Sequence, residues 1–389
     1  MRGDTGMKIG ILTFHGADNF GCVLQCMALQ NAIEAHILTA KVEIINYVMP
    51  NLVEKKLLLS KTQFQDVKKR LGKRVARKRV LENLRTLPGR AGRIRKFKKF
   101  RKAQLHIAGP TFLNADGMAE LDYDVFIVGS DQVFNLALIR GKEDIFFLEK
   151  APEGAKKISY AASTGHSSFG EPEQEKLRKY LTNFDMVSIR EKSAQAAIQE
   201  MANKKVSVCL DPTMLHSAEY WRTLEKKPKR IAKQQYVFMY GLGYPFCKEQ
   251  ENEACKLARM IAEQSGMIVI HHYFGDYRKR FDENAEHCYF QGPHEFLWLV
   301  DHAEYVVNCS YHGTVFSVIF EKPFYTYSTG GNSARMRDLV STLGIEERYL
   351  ERPVSQEEIN WDIDWEKIRT NWERERTNSL NYLKAAIEG

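Results

Sequence analysis

Five short stretches bring together side chains able to move protons or hold anions, each after a run of apolar residues. "FHGADNFG" offers His15, Asn19 and Gly21, "VGSDQVFN" offers Ser130, Asp131, Gln132 and Asn135, and "ISYAASTG" offers Ser163. "SIRE" offers Arg190 beside Glu191, and "NCSYHGTVFSVIF" offers Ser310, His312, Gly313 and Thr314. Histidine exchanges protons near neutral pH, and arginine grips planar carboxylates and phosphates through two parallel hydrogen bonds. Backbone amides at the start of a helix form a site for an anion or a hydroxyl. Each group also has a structural reading. Asn19 and Asp131 suit helix caps, Arg190 suits an ordinary ion pair, and His312 taken alone suits a packed residue at the mouth of a buried helix. What favours chemistry is the recurrence of such clusters at strand ends in both halves of the chain.

Those loops need strands to carry them. The chain has 389 residues, more than one core usually organises, so two domains are expected. "KIGILTF", a glycine-containing loop, an amphipathic helix through Leu24, Ala28, Leu29 and Ile33, and "VEIINYV" open a parallel α/β domain. "DVFIVGSD", "KISYAAS", "MVSIR" and "VSVCLDP" continue it, and Asp211–Pro212 reads as a turn. After the charged connector "EKKPKRIAKQQ", the series restarts with "YVFMYG", "GMIVIHHY", "EYVVNCS" and "KPFYTYS". The expected architecture is two Rossmann-like domains, at 7–225 and 234–350. An amphipathic helical tail at 351–389 is expected to pack back on the first. In such folds ligands bind beyond the carboxyl ends of the strands. The chain has neither a GxGxxG nor a GxxxxGK[ST] signature, which argues against dinucleotide and P-loop chemistry.

Charge is unevenly spread. The net charge is +8, yet residues 54–102 carry 20 Lys and Arg against three Asp and Glu. The rest of the chain is therefore acidic on balance. Val67, Leu71 and Val75, then Ile94, Phe97 and Phe100, recur at helical spacing inside the basic block. This predicts a basic helical insertion at about 54–103, packed on the body or lying on an anionic surface of nucleic acid or membrane. The seven cysteines contain no CxxC pair, so reduced core residues are expected rather than disulfides or a metal site. His271 and His272 are adjacent and would face opposite sides of a strand, a poor chelating pair. No apolar run is long enough to span a bilayer. The polar start "MRGDTG" lacks a signal-peptide layout, and a start at Met7 with a cytoplasmic location is expected.

In their order along residues 7–350, "NFGCVLQCMALQ", "DVFIVGSDQVFN", "ISYAASTG", "VSIREKSA", "LDPTMLHSAEYW", "HEFLWLVDHAEYVVNCSYHGTVFSVIFEKPF" and "SARMRDLVSTLGI" resemble the polysaccharide pyruvyl transferase family. The resemblance implies a two-lobed fold similar to GT-B glycosyltransferases. It implies transfer of a pyruvyl group from phosphoenolpyruvate to two hydroxyls of one sugar, giving a cyclic ketal, in capsular, exopolysaccharide or cell-wall polymer synthesis. Phosphoenolpyruvate is then a co-substrate, and no metal or cofactor is called for. His312 matches the family histidine, which implies a general acid and a contact to the departing phosphate. Arg190 becomes the anion clamp, and Asp131 the base or hydroxyl acceptor. Ser310, Gly313, Thr314, Arg335 and Arg337 join the donor side; His15, Asn19, Gly21, Ser130, Gln132, Asn135 and Ser163 join the acceptor side. One branch of the family carries arginine where this chain has Ser310, so Arg335 or Arg337 is expected to replace it.

A lipid-linked acceptor on a polyprenyl-diphosphate carrier would place the protein at the inner face of the cytoplasmic membrane. The basic insertion would then bind anionic lipid, each Lys or Arg contributing about 1 kcal/mol, with Phe97 and Phe100 as apolar anchors. No nucleic-acid-binding module is visible. Two other readings stay open: a GT-B-type glycosyltransferase using a nucleotide sugar, and a non-catalytic member of a surface-polysaccharide assembly complex.

Overall fold

The computed structural model describes residues 6–49, 89, 91–229, 231, 234–241, 248–272, 286–288, 290–327 and 333–389. Runs of Val, Ile, Phe and Tyr make its strands, because branched and aromatic side chains fit a pleated, covered surface. In the first lobe these are β1 (Lys8–Leu12), β2 (Lys41–Tyr47), β3 (Ile107–Phe112), β4 (Val125–Asp131), β5 (Lys156–Ala162), β6 (Val187–Ile189) and β7 (Val206–Val208). All pair in parallel, in the order β3-β2-β1-β4-β5-β6-β7. Every residue of β4 is buried, which explains why "VFIV" shows no alternation: a parallel strand is covered on both faces.

The second lobe repeats the plan. β8 (Tyr236–Tyr240), β9 (Ile268–His272), β10 (Glu286–His287), β11 (Tyr305–Asn308), β12 (Phe324–Tyr327) and β13 (Tyr349–Leu350) form a parallel sheet ordered β10-β9-β8-β11-β12-β13. Both sheets thus reverse direction at one crevice, between β1 and β4 and between β8 and β11. Such switch points are where open α/β sheets bind ligands. The fold is α/β, two Rossmann-like domains in a GT-B-like arrangement.

One hydrophobic cluster runs through both lobes. Phe20, at the start of the helix Phe20–His36, stacks on Phe296 of the second lobe at 4.5 Å and on Phe97 at 5.5 Å. Trp221 meets Phe316 edge-on at 5.0 Å. The tail helix, Trp365–Glu388, touches both lobes. The Tyr382 hydroxyl donates to Ser159 O (2.9 Å) and Trp372 Nε1 to Met214 O (2.8 Å) in the first lobe. Asn371 Nδ2 donates to Leu343 O (3.1 Å) in the second.

Residues 91–104, the described end of the basic segment, form a helix. Phe97 and Phe100 are buried in the shared cluster, which corrects their expected role as membrane anchors. The reason is the stacking partner: Phe20 offers Phe97 a dry aromatic face. Arg101 donates to Ala17 O and Asp18 Oδ1, and Arg93 Nη2 to Asp18 O, fastening this helix to the loop after β1. Arg95, Lys98, Lys99 and Lys102 remain exposed. Val67, Leu71 and Val75 lie outside the described residues. Among the described residues no helix is long and apolar enough to cross a membrane.

Candidate active site

The first lobe's half of the site is set by the loop after β1 and the turn that ends β4. Asn19 caps the helix Phe20–His36, its side-chain oxygen accepting from Cys22 N at 3.3 Å. One turn on, buried Gln25 ties both loops together. Its amide donates to Thr13 Oγ1 (2.9 Å), and its carbonyl accepts from Ser130 N (3.1 Å). Asp131 follows in the left-handed region, at φ 72°, a conformation that aspartate tolerates because its side chain bonds locally. Its Oδ1 accepts from Gln132 N (2.8 Å) and its Oδ2 from the Cys22 thiol (3.0 Å).

Three charged groups meet deeper in. Arg190 follows β6 and is 7% exposed; Asp211 follows β7 and is fully buried; His312 belongs to the second lobe and is 8% exposed. Arg190 Nη1 donates to Asp211 Oδ2 at 2.6 Å, and His312 Nε2 lies 3.4 Å from the same oxygen. Thr213 donates to Asp211 Oδ1 through its amide (3.0 Å) and its hydroxyl (2.7 Å). Burial alone would raise the Asp211 pKa, but His312, Arg190 and Thr213 hold it well below the usual carboxylate range. Burial also opposes the charge on Arg190, yet Tyr311, Asp211 and Glu191 keep its pKa above the ordinary value.

The helix Tyr311–Ile319 carries His312 across the crevice. Its start is prepared by Asn308, whose Oδ1 accepts from Ser310 N, Thr314 Oγ1 and Thr326 Oγ1. The imidazole seats on the first turn of the helix Phe20–His36, where a Cβ on Gly21 would lie 2.0 Å from Nδ1. Tyr311 stands between two guanidinium groups, 4.2 Å from Arg190 and 5.7 Å from Arg335. Arg335 is buried, and burial together with the charge of Arg190 lowers its pKa. Arg190 Nε and Nη2 and Arg335 Nε are buried without a hydrogen-bond partner. Two buried cations with donors to spare, beside a histidine, make a place for an anion.

A family model described as polysaccharide pyruvyl transferase matches residues 19–331. The chain belongs to that family. No curated protein matches it. Among solved structures it is similar to a candidate UDP-N-acetylglucosamine 2-epimerase from Listeria monocytogenes, at 11% identity and TM-score 0.57, covering 98% of this chain and 96% of that one. It is also similar to the UDP-GlcNAc 2-epimerase of Neisseria meningitidis bound to UDP-GlcNAc, at 8% identity and TM-score 0.51, covering 98% and 99%. The UDP-GlcNAc 2-epimerase of Methanocaldococcus jannaschii gives 12%, 0.51, 98% and 100%. At these identities the likeness shows the GT-B-like fold alone.

Within this pyruvyl transferase family member, the expected site residues divide. His312, Arg190, Arg335 and Gly21 converge, with Asp131 near enough to act electrostatically on both arginines. Arg337 departs from expectation: it is exposed and pairs with Glu351, because residues two apart on a helix point in different directions. Ser310 Oγ caps the histidine helix by accepting from Gly313 N (3.4 Å), and Thr314 is spent on Asn308 and Ser310. Gly313 lies so close to Tyr240 and Asn308 that a Cβ would meet both at 2.9 Å. Ser130 donates to Ala161 O (2.8 Å) inside the sheet, and Ser163 donates to Glu191. Asn135 Nδ2 donates to Gln132 Oε1 (2.8 Å), a pair that closes over Gly165. His15 is buried, its Nδ1 3.4 Å from Thr13 O. Sequence reasoning misses Asp211. Its signal is a carboxylate directly after the apolar run "VSVCL", in the same kind of loop as the others, and the following Pro212 gives it the look of a turn.

Proposed function

We propose that this protein transfers the pyruvyl group of phosphoenolpyruvate to two hydroxyls of a sugar, forming a cyclic ketal during capsular, exopolysaccharide or cell-wall polymer synthesis. The observation that carries the reading is the pair of buried guanidinium groups, Arg190 and Arg335, with unused donors beside His312. Phosphoenolpyruvate brings a carboxylate and a phosphate, and the two arginines suit them. Arg335 takes the part left open by Ser310. His312 then gives a proton to the methylene carbon, generating an oxocarbenium-like centre at the adjacent carbon. One sugar hydroxyl attacks that centre while Asp131 accepts its proton. The bond from that carbon to the phosphate oxygen then breaks, phosphate leaves, and the second hydroxyl closes the ring on the cation so formed, its proton returning to the now neutral His312. As the lobes stand, His312 Nδ1 faces Gly21 and Nε2 faces Asp211, so the donor reaches the ring when the lobes part.

The test is incubation with phosphoenolpyruvate and a panel of lipid-linked or nitrophenyl sugars, with mass spectrometry of the products. A pyruvylated sugar supports the reading. A melting temperature raised by a nucleotide sugar but not by phosphoenolpyruvate would replace it with glycosyl transfer. A folded protein with no turnover on any acceptor would favour the assembly role. The setting belongs to the same proposal: a polyprenyl-diphosphate-linked acceptor, reached at the inner face of the cytoplasmic membrane through the basic segment 54–103. Arg95, Lys98, Lys99 and Lys102 supply the exposed charge within its described part. Flotation with anionic vesicles but not neutral ones is the expected outcome; equal binding to both, or to neither, would remove the membrane from the proposal.

A further inference from the structure

Asp211 has a place in the site that its reading as a turn does not assign to it. An arginine side chain offers two edges for bidentate binding, and the Nε/Nη2 edge matches a carboxylate or phosphate. In Arg190, Asp211 takes only Nη1, at 2.6 Å. Nε and Nη2, the two atoms of that matching edge, are buried and without a hydrogen-bond partner. The nearest carboxylate oxygen to Nε, Glu191 Oε1, is 3.9 Å away, beyond hydrogen-bond reach. Asp211 is itself held on the far side, its Oδ1 accepting twice from Thr213. Its Oδ2 also faces His312 Nε2 across the crevice, at 3.4 Å. One buried carboxylate therefore fixes the first lobe's guanidinium from behind and registers the second lobe's histidine against it.

We infer that Asp211 is a positioning residue: it pins Nη1 of Arg190 so that the Nε/Nη2 edge is presented, already desolvated, to an anionic group of the donor. The inference rests on the pyruvyl-transfer reading for the identity of that anion, and on the geometry for the rest. Asp211→Asn is the natural variant. The asparagine oxygen can keep both Thr213 bonds, but its NH2 group then faces Arg190 Nη1 and His312 Nε2, donor against donor. The guanidinium must turn away.

Two measurements test this. In calorimetric titration with phosphoenolpyruvate, and separately with inorganic phosphate, Asp211→Asn should bind at least tenfold more weakly than the unaltered protein. Affinity within twofold would overturn the inference while leaving the donor reading intact. The second measurement needs no ligand. In the unaltered protein, the Arg190 Nε–H nuclear magnetic resonance signal, assigned by its loss in Arg190→Lys, should exchange with water far more slowly than those of the exposed arginines. Exchange as fast as at the surface would overturn the inference even where Asp211→Asn does not fold. A protected signal that phosphoenolpyruvate leaves unmoved would uphold the pinning and count against the donor reading instead.

Discussion

Gly21 is the residue whose smallness decides most. It places backbone, not side chain, against the His312 ring, so that the second lobe's histidine rests on the first turn of a first-lobe helix. A methyl group there would sit 2.0 Å from Nδ1, so Gly21→Ala must push the ring or the lobe aside. Overpacking of this kind costs about 1–3 kcal/mol, and a lowered melting temperature, with reduced turnover in the proposed pyruvyl-transfer assay, is the expected result. Unchanged melting and activity would show that the contact is loose. His312→Gln separates chemistry from packing. It keeps a polar side chain of similar reach but cannot donate a proton as imidazolium does. Turnover should fall about 10²- to 10⁴-fold with little change in melting temperature. His312, Arg190 and Asp131 are legible not from side-chain type alone but from the recurrence of polar clusters after apolar strands in both halves, together with the family resemblance of those stretches. The contacts of His312 with Gly21 and with Asp211 are hidden, because each joins segments about a hundred or more residues apart and leaves no local pattern.

Among elements, the connector between the lobes and the tail helix hold the two halves together. Arg222 grips Asp301 through two hydrogen bonds of 3.0 Å, joining the end of the short helix Ala218–Arg222 to the end of the helix Pro293–Asp301. Glu225 stands beside them, with His302 Nδ1 3.7 Å from its Oε2. Burial and the neighbouring Asp301 push the Glu225 carboxyl up to about 7, against the opposing charges of Arg222 and Lys322. The unfolded chain gives up this proton near the ordinary glutamate value, while the folded chain keeps it. From that value up to about 7 the unfolded state binds fewer protons, so stability falls as pH rises. Glu225→Gln should flatten that part of the stability–pH curve in urea titrations; an unaltered slope would assign it to other groups. Tyr382→Phe tests the tail helix in the same assay. Losing the hydrogen bond to Ser159 O should cost about 1 kcal/mol. The strands were legible as apolar runs between glycine-rich turns. The burial of Phe97 and Phe100 was not, since a basic amphipathic helix looks alike whether its apolar side meets lipid or protein.

At the scale of the whole molecule, alternating strands and helices announced two α/β lobes, but not the facing of their switch points. That arrangement depends on contacts between lobes, and the sequence of neither half encodes them alone. The decisive contact is aromatic. Phe20 is fully buried, and it stacks on Phe296 from the second lobe and on Phe97 from the basic segment. Two further clusters stay within single lobes, one around Phe126, Phe134 and Phe147, the other around Val237, Met239 and Tyr305. Each lobe therefore has a core of its own, and the shared cluster couples their unfolding. A single calorimetric transition is expected for the unaltered protein. Phe20→Ala removes the central ring at a cost of about 3–5 kcal/mol, and that loss falls on the coupling rather than on either private core. The variant should melt in two steps, with the lobes unfolding separately and the cluster of Arg190, Asp211 and His312 broken at the first. One transition, merely shifted to lower temperature, would mean that the shared cluster belongs to one lobe's core and that the halves are coupled elsewhere, the tail helix being the next element to cut.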